Sequence, residues 1–419
     1  MNVPKIRIKG FDGEWERKKI GECGTTYSGL SGKSKSDFGA GNAQYITFLN
    51  VLTNAHIDTT IFENVNIKPG EKQNKVVKGD ILFNTSSETP EEVGYCSVLM
   101  NDVENLYLNS FCFGFRPYAG TIDPEFMAYL MRGQIGRSIM KILAQGATRY
   151  NLSKNRLCEA TIPAPSCKEE QRQIAEYFGQ LDSLIEATGK KITSLKQTKQ
   201  ACMQQMFPAE GETTPRVRFK GFEGVWQLRK IGELGTTYSG LSGKSKADFG
   251  LGSAQYITFL NVLTNAHIDT TIFESVNIKP GEKQNKVVKG DILFNTSSET
   301  PEEVGYCSVL MNDIDNLYLN SFCFGFRPYA GTINPEFMVY LMRGQIGRSI
   351  MKILAQGATR YNLSKNRLCE VTIPIPANDD EQQQIAAFFS NMDKQIRIQE
   401  QRLEKLKRIK TACLENMFV

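Results

Sequence analysis

Apolar residues recur at alternating spacings of four and three along two stretches of the sequence. Each stretch sustains the pattern for more than four heptads without an internal proline. This period places the apolar residues on one helical stripe, which is typical of a coiled-coil seam. An amphipathic helix on a core is the alternative, but the length and duplication of the pattern favour pairing of the two helices. The predicted seam consists of Ile174, Phe178, Leu181, Ile185, Ile192 and Leu195 in the first helix, and Ile385, Phe389, Met392, Ile396, Leu403 and Leu406 in the second.

Alternating apolar and polar positions elsewhere predict short β-strands. DILFNTSS begins at Asp80, and LYLNSFCFGFRP places Phe111, Phe113 and Phe115 on one strand face, where we expect core packing. The segment from Pro124 predicts a helix, because proline occupies its first turn and a glycine follows its end. Strands and helices are thus mixed, and the predicted fold class is α+β.

The whole pattern occurs twice, at an offset of 211 residues. QGATRYNLSKNRLCE starts at Gln145 and again, unchanged, at Gln356. Between Gly24 and Pro163 only nine of 140 positions differ from the second copy, whereas identity falls after Pro165 although the register is kept. Each copy therefore combines a near-invariant globular module with a divergent helix. The predicted boundaries are 1–165 and 209–376 for the modules, and 166–208 and 377–419 for the helices.

Composition sets the class of protein. The 419 residues are 41% hydrophobic and 23% charged, as expected of a globular protein with its own cores. The N-terminus lacks the apolar region of a signal peptide, and no apolar run approaches the ~20 residues of a membrane helix. The ten cysteines form no C-x-x-C pair, so we expect reduced thiols and a cytoplasmic protein.

The sequence contains no catalytic motif that we recognise. SGKS at Ser31 lacks the glycine that a P-loop requires five positions before Gly32, where Tyr27 stands instead. NPEF at Asn334 lacks the second proline of the N-P-P-[YF] motif of amino-methyltransferases. The histidines are one repeat-related pair, so each module has a single histidine without a nucleophile motif beside it. We therefore expect no catalytic residue, metal site or cofactor on this chain.

The distribution of basic residues is more informative than the net charge of +5. Six basic residues and no acid occur between Phe126 and Cys158, and the second copy repeats this segment. Lysine and arginine neutralise phosphates, and arginine and asparagine also read base edges. A solvated face is the alternative for each patch alone. The candidate DNA-binding residues are Lys33, Lys35, Ser86, Ser87, Arg137, Lys141, Arg149, Tyr150, Asn151 and Lys154, with Lys244, Lys246, Ser297, Ser298, Arg348, Lys352, Arg360, Tyr361, Asn362 and Lys365 in the second copy.

In combination, several motifs resemble the specificity (S) subunits of Type I restriction–modification systems. IPAPSCKEEQRQIAEYF and IPIPANDDEQQQIAAFF each open a long helix, and KGDILFNTSSETPEEVG, YLNSFCFGFRP and GATRYNLSKN add to the resemblance. The resemblance covers the whole chain. It implies two target-recognition domains separated by a pair of long antiparallel coiled-coil helices. Family members usually carry two dissimilar recognition domains, whereas here the domains are nearly identical.

The resemblance also implies partners. The S subunit itself is not catalytic; it directs two modification (M) subunits, which bind S-adenosylmethionine and methylate adenine, and restriction (R) subunits, which use ATP and Mg²⁺ and cut DNA. Two like domains would read like half-sites, so the expected target is an interrupted palindrome in double-stranded DNA. The alternative is a non-catalytic bivalent scaffold that presents two identical modules to a protein or another polyanion. An autonomous methyltransferase or NTPase is a distant third.

Overall fold

The computed structural model describes residues 3–146, 148–357 and 359–419. These residues divide into two compact units. The first takes in the chain up to Gly189 together with Gln401–Val419, and the second is Lys190–Glu400. Each unit contains one globular module and parts of both long helices. The predicted boundaries, which separate each module from its helix, stay a prediction.

The first module alternates short strands and short helices and ends in a long helix. Its strands are β1 (Glu16–Lys19), β2 (Gly24–Ser28), β3 (Phe38–Ile46), β4 (Glu63–Val65), β5 (Ile81–Asn84), β6 (Ser86–Ser87), β7 (Cys96–Val98), β8 (Leu106–Leu108), β9 (Cys112–Pro117), β10 (Tyr150–Asn151) and β11 (Thr161–Ala164). Its helices are α1 (Ile20–Cys23), α2 (Phe48–Thr53), α3 (Pro124–Arg132), α4 (Gln134–Leu143), α5 (Lys154–Glu159) and the long α6 (Lys168–Met206), with a 3₁₀ turn at Lys35–Asp37.

The second module repeats this order. Its strands are β12 (Gln227–Lys230), β13 (Gly235–Ser239), β14 (Phe249–Ile257), β15 (Glu274–Val276), β16 (Ile292–Asn295), β17 (Ser297–Ser298), β18 (Cys307–Val309), β19 (Leu317–Leu319), β20 (Cys323–Pro328), β21 (Tyr361–Asn362) and β22 (Thr372–Ile375). Its helices are α7 (Ile231–Leu234), α8 (Phe259–Thr264), α9 (Pro335–Arg343), α10 (Gln345–Leu354), α11 (Lys365–Glu370) and the long α12 (Asp379–Asn416), with a 3₁₀ turn at Lys246–Asp248.

An antiparallel four-stranded sheet in the order β2-β9-β5-β7 forms the centre of the first module. A second sheet has the order β4-β3-β8, in which β3 is antiparallel to β4 and parallel to β8. Two-stranded ladders join β1 to β11 and β6 to β10. The second module has the same sheets in the same register: Gly24 lies opposite Pro117, and Gly235 opposite Pro328. The mixed sheets and helices confirm the predicted α+β class.

The core of each module lies between the four-stranded sheet and the helices. The rings of Phe83 and Phe113 stack with centroids 5.3 Å apart, and Phe115 is fully buried, as the alternation predicts. The prediction was wrong for Phe111, which is 59% exposed. Because β9 begins at Cys112, Phe111 lies in the preceding turn and does not follow the alternation of the strand.

The two long helices pair antiparallel within each unit. In the first unit the Tyr177 hydroxyl lies 3.4 Å from the Cys413 thiol, and five residues further along α6 Asp182 meets Lys410, which precedes Cys413. In the second unit the end of α6 meets the start of α12 in the same way, through Lys199 and Asp393. All twelve predicted seam residues are buried or half-buried, as a paired coiled-coil stripe requires.

A polar cluster sits beside the seam in each unit. The Tyr129 hydroxyl of α3 donates a hydrogen bond to Asp182 of α6 at 2.9 Å, and Lys410 of α12 donates to the same carboxylate. The cluster therefore joins the module to both helices. The equivalent cluster in the second unit consists of Tyr340, Asp393 and Lys199.

The residues that directly follow each long helix complete the core of the unit they enter. Phe418, at the end of the second copy, stacks on Phe178 with ring centroids 5.7 Å apart in the first unit. Phe207, at the end of the first copy, stacks in the same way on Phe389 in the second unit, also at 5.7 Å. Each core is thus completed by the helix end of the other copy.

The structure also shows the state of the cysteines and the polarity of the helices. All ten cysteines are free thiols, and burial raises the pKa of Cys96 to about 11. Among the residues that the structure describes, no helix is long and apolar enough to cross a membrane.

Candidate nucleic-acid interface

A closed loop between α4 and α5 carries the residues that the sequence singled out most strongly. Gln145 and Asn151 exchange two backbone hydrogen bonds, of 3.0 and 2.7 Å, which close the loop at its base. Gly146 has φ +135°, and a Cβ at this position would lie 2.0 Å from the carbonyl oxygen of Arg149. Only glycine fits such a conformation without strain. The loop from Gln356 to Asn362 repeats this geometry, with Gly357 at φ +140°.

The closed loop is fastened to the sheet beside it. Tyr150 and Asn151 form β10, which pairs antiparallel with Ser87 and Ser86 of β6. Tyr150 is half-buried against the core, while Arg149 and Asn151 are exposed. The Asn151 amide nitrogen donates to the Arg149 carbonyl oxygen at 3.3 Å. The loop therefore offers the Arg149 guanidinium and the Asn151 carboxamide oxygen to solvent from a braced backbone, and such groups are suited to phosphates and base edges.

The serines predicted beside this loop have a structural role. Ser86 and Ser87 are buried, and the Ser87 hydroxyl donates a hydrogen bond to the Glu92 carboxylate at 2.8 Å. Ser298 and Glu303 form the same bond in the second copy. The Ser87 and Ser298 hydroxyls are bonded within their modules, and Ser86 and Ser297 are buried. We therefore do not include these serines among the exposed groups of the interface.

Lys33 and Lys35 differ in surroundings although they are two residues apart. The Lys33 ammonium donates to the Glu71 carboxylate and to the Asn66 carbonyl oxygen, each at 2.6 Å, and its side chain is 3% exposed. Hydrogen bonds from Lys33 and Gln73 lower the pKa of Glu71 to about 2. Lys33 therefore braces the glycine-rich segment, whereas Lys35 is exposed. In the second copy Lys244 is buried against Glu282, and Lys246 is exposed.

The helix α4 carries two further predicted cations, and both have partners. Arg137 donates to the carbonyl oxygens of Glu91 and Val93 at 2.6 Å each, and its guanidinium lies 4.2 Å from the centre of the Tyr95 ring. Lys141 pairs with the Glu91 carboxylate at 2.8 Å. The segment is free of acids in sequence, but the fold brings Glu91 to it. In the second copy Arg348 contacts Tyr306, and Lys352 lies 3.5 Å from Glu302.

Lys154 completes the predicted set. Its ammonium donates to the Ser28 hydroxyl at 2.6 Å, and its side chain is half-buried. Lys365 makes the same contact with Ser239. Of each predicted set, the exposed side chains without an ion-pair partner among the described residues are one lysine of the glycine-rich segment and the arginine and asparagine of the closed loop: Lys35, Arg149 and Asn151, and Lys246, Arg360 and Asn362. Lys141 and Lys352 are also exposed, but each is paired with a glutamate.

The structure adds an exposed aromatic that the sequence pattern had assigned to the core. The Thr85 amide and hydroxyl donate to the carbonyl oxygen of Phe111 at 3.0 and 2.6 Å, and the Leu152 amide donates to the Thr85 carbonyl oxygen at 2.8 Å. Thr85 therefore links the turn of Phe111 to the residue that follows Asn151. The signal that could have found this residue is the polar turn Asn109-Ser110, which precedes it.

No group of three or more metal-ligating side chains occurs among the described residues. His56 lies with its Nε2 2.6 Å from a carboxylate oxygen of Glu125, and the equivalent contact joins His267 and Glu336 at 2.5 Å. Each histidine thus has a partner, as expected of a structural histidine.

The known proteins to which this chain is similar belong to a family that is consistent with the observed fold. The profile of the Type I restriction modification DNA specificity domain matches residues 12–197 and again residues 223–408. Relatives include the putative type I restriction enzyme MjaX specificity subunit of Methanocaldococcus jannaschii, which is 27% identical over 211 residues, 49% of this chain and 48% of the relative. The MjaVIII specificity subunit of the same organism is 24% identical over 69% of this chain and 68% of that protein. The matched region thus spans about half to two thirds of the length of these relatives.

Solved structures give the same fold. The S subunit of a Type I restriction–modification system from M. genitalium matches with a TM-score of 0.61 and 16% identity, over 100% of this chain and 99% of that one. A chain from a study of complex assembly and conformational transition in the type I R-M system matches with a TM-score of 0.53, also at 16% identity, over 96% of both chains. The profile covers most of the sequence in two copies, and therefore the chain belongs to the family of Type I restriction modification DNA specificity domains.

Proposed function

We propose that this chain is the sequence-specific DNA-binding specificity subunit of a Type I restriction–modification complex. Each module reads one half of a bipartite site in double-stranded DNA. The observation that carries this proposal is the pair of identical closed loops, each of which presents an exposed arginine and asparagine from a braced backbone. Family membership and the names of the relatives support it.

The chain acts as a recognition subunit without chemistry of its own. Its partners are two modification subunits, which supply S-adenosylmethionine-dependent adenine methylation, and restriction subunits, which supply ATP- and Mg²⁺-dependent cleavage. Purified alone, the chain neither methylates nor cleaves DNA; with a cognate modification subunit it confers sequence-specific adenine methylation. Methyl transfer from S-adenosylmethionine to DNA by the single purified chain would contradict this assignment.

The recognised site is an interrupted palindrome with the same bases in both halves. Two near-identical modules should read the same bases, and a palindrome presents the same bases twice, once on each strand. Two of the polar side chains that differ between the copies contact their own module. Asn42, which Ser253 replaces, holds the Ile67 backbone through bonds of 3.1 and 2.9 Å. Ser36, which Ala247 replaces, contacts the Ser34 hydroxyl at 2.8 Å.

Mapping of methylated adenines in the host genome tests the proposal. The expected result is one modified adenine in each half of an interrupted palindrome, on opposite strands. Two half-sites unrelated by inversion would contradict the equivalence of the modules. Binding of the chain with its accompanying subunits to that site should also weaken steeply with salt, because phosphate neutralisation releases counterions. Binding that is insensitive to salt would favour the bivalent scaffold.

A further inference from the structure

Phe111 and Phe322 are large apolar side chains held on the surface of their modules. They are 59% and 54% exposed. Their position is fixed by the backbone: the Phe111 amide donates to the Asn109 side chain at 2.8 Å, and the Phe111 carbonyl oxygen accepts two bonds from Thr85. Burial of an aromatic ring is favourable. A hydrogen-bonded turn that keeps such a ring in water is therefore suited to a ligand that covers it.

The neighbours of each ring indicate what that ligand is. Thr85 joins the turn of Phe111 to the segment that follows the closed loop. In the second copy the Arg360 guanidinium lies 5.8 Å from the centre of the Phe322 ring. In the second copy the aromatic ring and the exposed arginine are thus neighbours on one surface, where an apolar contact and a polar contact can fall on adjacent bases.

We propose that Phe111 and Phe322 each contact the C5-methyl group of a thymine in the half-site read by their module. This inference rests on the proposed function and names a specificity-determining residue for it. The thymine methyl is the apolar feature of the major groove, and side chains such as phenylalanine recognise it. A wedge between base pairs needs both faces of the ring, whereas the Arg360 guanidinium lies over one face of Phe322, 5.8 Å from the ring centre.

The test uses the tagged full chain, purified from its host with the subunits that accompany it. Its site is first selected from random double-stranded DNA. Each thymine of the site is then replaced by deoxyuridine, which removes only the methyl group. We expect the affinity to fall about fourfold at one thymine in each half-site, the effect of one lost buried methyl group. Phe111→Ala should abolish that sensitivity in one half-site, and Phe322→Ala in the other.

A matched control separates this role from general surface effects. Tyr118 is 52% exposed and follows the far end of β9, so Tyr118→Ala should keep both sensitivities to deoxyuridine. The thermal midpoints of all three variants should equal that of the wild type, because each side chain is exposed. Indifference of the wild type to every deoxyuridine, or sensitivity that persists in the Phe111→Ala and Phe322→Ala chains, would overturn the inference.

Two other outcomes can be distinguished from these results. A rise in 2-aminopurine fluorescence that depends on Phe111 would identify a wedge that unstacks bases, and it would also overturn the methyl contact. If the wild-type complex selects no sequence at all, the proposed function fails, and this inference fails with it.

Discussion

At the scale of single residues, the surroundings of a cation decide whether it is available to a ligand. Lys33 and Arg149 both carry a positive charge in a glycine-containing segment. The Lys33 side chain is 3% exposed and bound to Glu71, so its charge is already balanced inside the module. Arg149 is exposed, and the loop that carries it is closed by backbone hydrogen bonds. We therefore expect recognition to depend more on Arg149 and Arg360 than on Lys33 and Lys244, whose side chains are buried.

Replacement of these arginines tests their role. Arg149→Ala should weaken binding at one half-site and Arg360→Ala at the other, each by about 1–3 kcal/mol, the value of one good base contact. Titration of the selected DNA site with each variant measures the loss. Lys141→Ala should have a smaller effect, because its ammonium is paired with Glu91. Wild-type affinity in both arginine variants would show that the loop is structural.

The Lys33–Glu71 contact makes a prediction about pH. The pKa of Glu71 is lowered from its ordinary 4.5 to about 2 in the folded module. A lowered carboxyl pKa contributes stability that is present above pH 4.5 and is lost as pH falls towards 2. Glu71→Gln should therefore lower the thermal midpoint at pH 7, and the difference from the wild type should shrink between pH 4.5 and 2. A difference that stays constant over this range would contradict the assigned ion pair.

At the scale of elements, the polar clusters beside the seam define how the long helices pair. Lys199 and Lys410 occupy positions that the apolar spacing would otherwise fill, and each meets an aspartate of the partner helix. A polar residue at one seam position is a known means of fixing register, because a shifted pairing leaves it without its partner. Asp393 also accepts a hydrogen bond from Tyr340, so the same carboxylate ties the module to the helix pair.

Removal of the lysine from one polar cluster should lower the stability of the fold. Lys199→Met leaves Asp393, which is 22% exposed, without its cation, and should lower the free energy of unfolding by about 1–3 kcal/mol. The double variant Lys199→Met/Asp393→Asn should recover part of this loss, and a double-mutant cycle measures the coupling. Lys196→Met is the control. Its pair with Glu400 is exposed, and such pairs contribute about 0.2–1 kcal/mol. Equal effects of the two single substitutions would contradict the role of the cluster.

At the scale of the whole molecule, one module is built twice on one chain. The sheets of the two copies have the same strand order and the same register, so the differences between the copies leave the scaffold unchanged. Each unit also contains the beginning of one long helix and the end of the other. We therefore expect that the long helices can be lengthened without altering the structure of either module.

Insertions of equal length in both long helices should change the distance between the half-sites without changing the bases that are read. Four residues inserted after Thr188 and four after Gln399 fall between the two polar clusters on both helices, so both clusters keep their partners. Four residues are close to one helical turn and add about 6 Å. The permitted distance between the half-sites should increase by about two base pairs at ~3.4 Å each, while the bases read stay the same. Methylated-site mapping in a host that carries the variant measures both, and altered bases with unchanged spacing would contradict the expectation.

The sequence by itself determined the features that depend on local order. The 211-residue repeat, the seam residues and the mixed strand and helix content follow from spacing alone, because neighbours on a helix or a strand are neighbours in the sequence. The motifs that begin each long helix indicated the family, and the profile match confirms it. The closed loop was singled out for its charge, and the structure shows Arg149 exposed there.

Only the tertiary structure decided which of the predicted groups face solvent. Glu71 reaches Lys33 from 38 residues away, and Glu91 reaches Lys141 from 50 residues away. No local period encodes such pairs, so a segment without acids in sequence can still lie against one in space. Phe111 was assigned to the core because it lies two positions before Phe113 and would share its strand face. The strand begins only at Cys112, so the alternation of faces does not extend to Phe111. Charge balance and exposure are set by contacts between distant segments, and those contacts exist only once the sheets have formed.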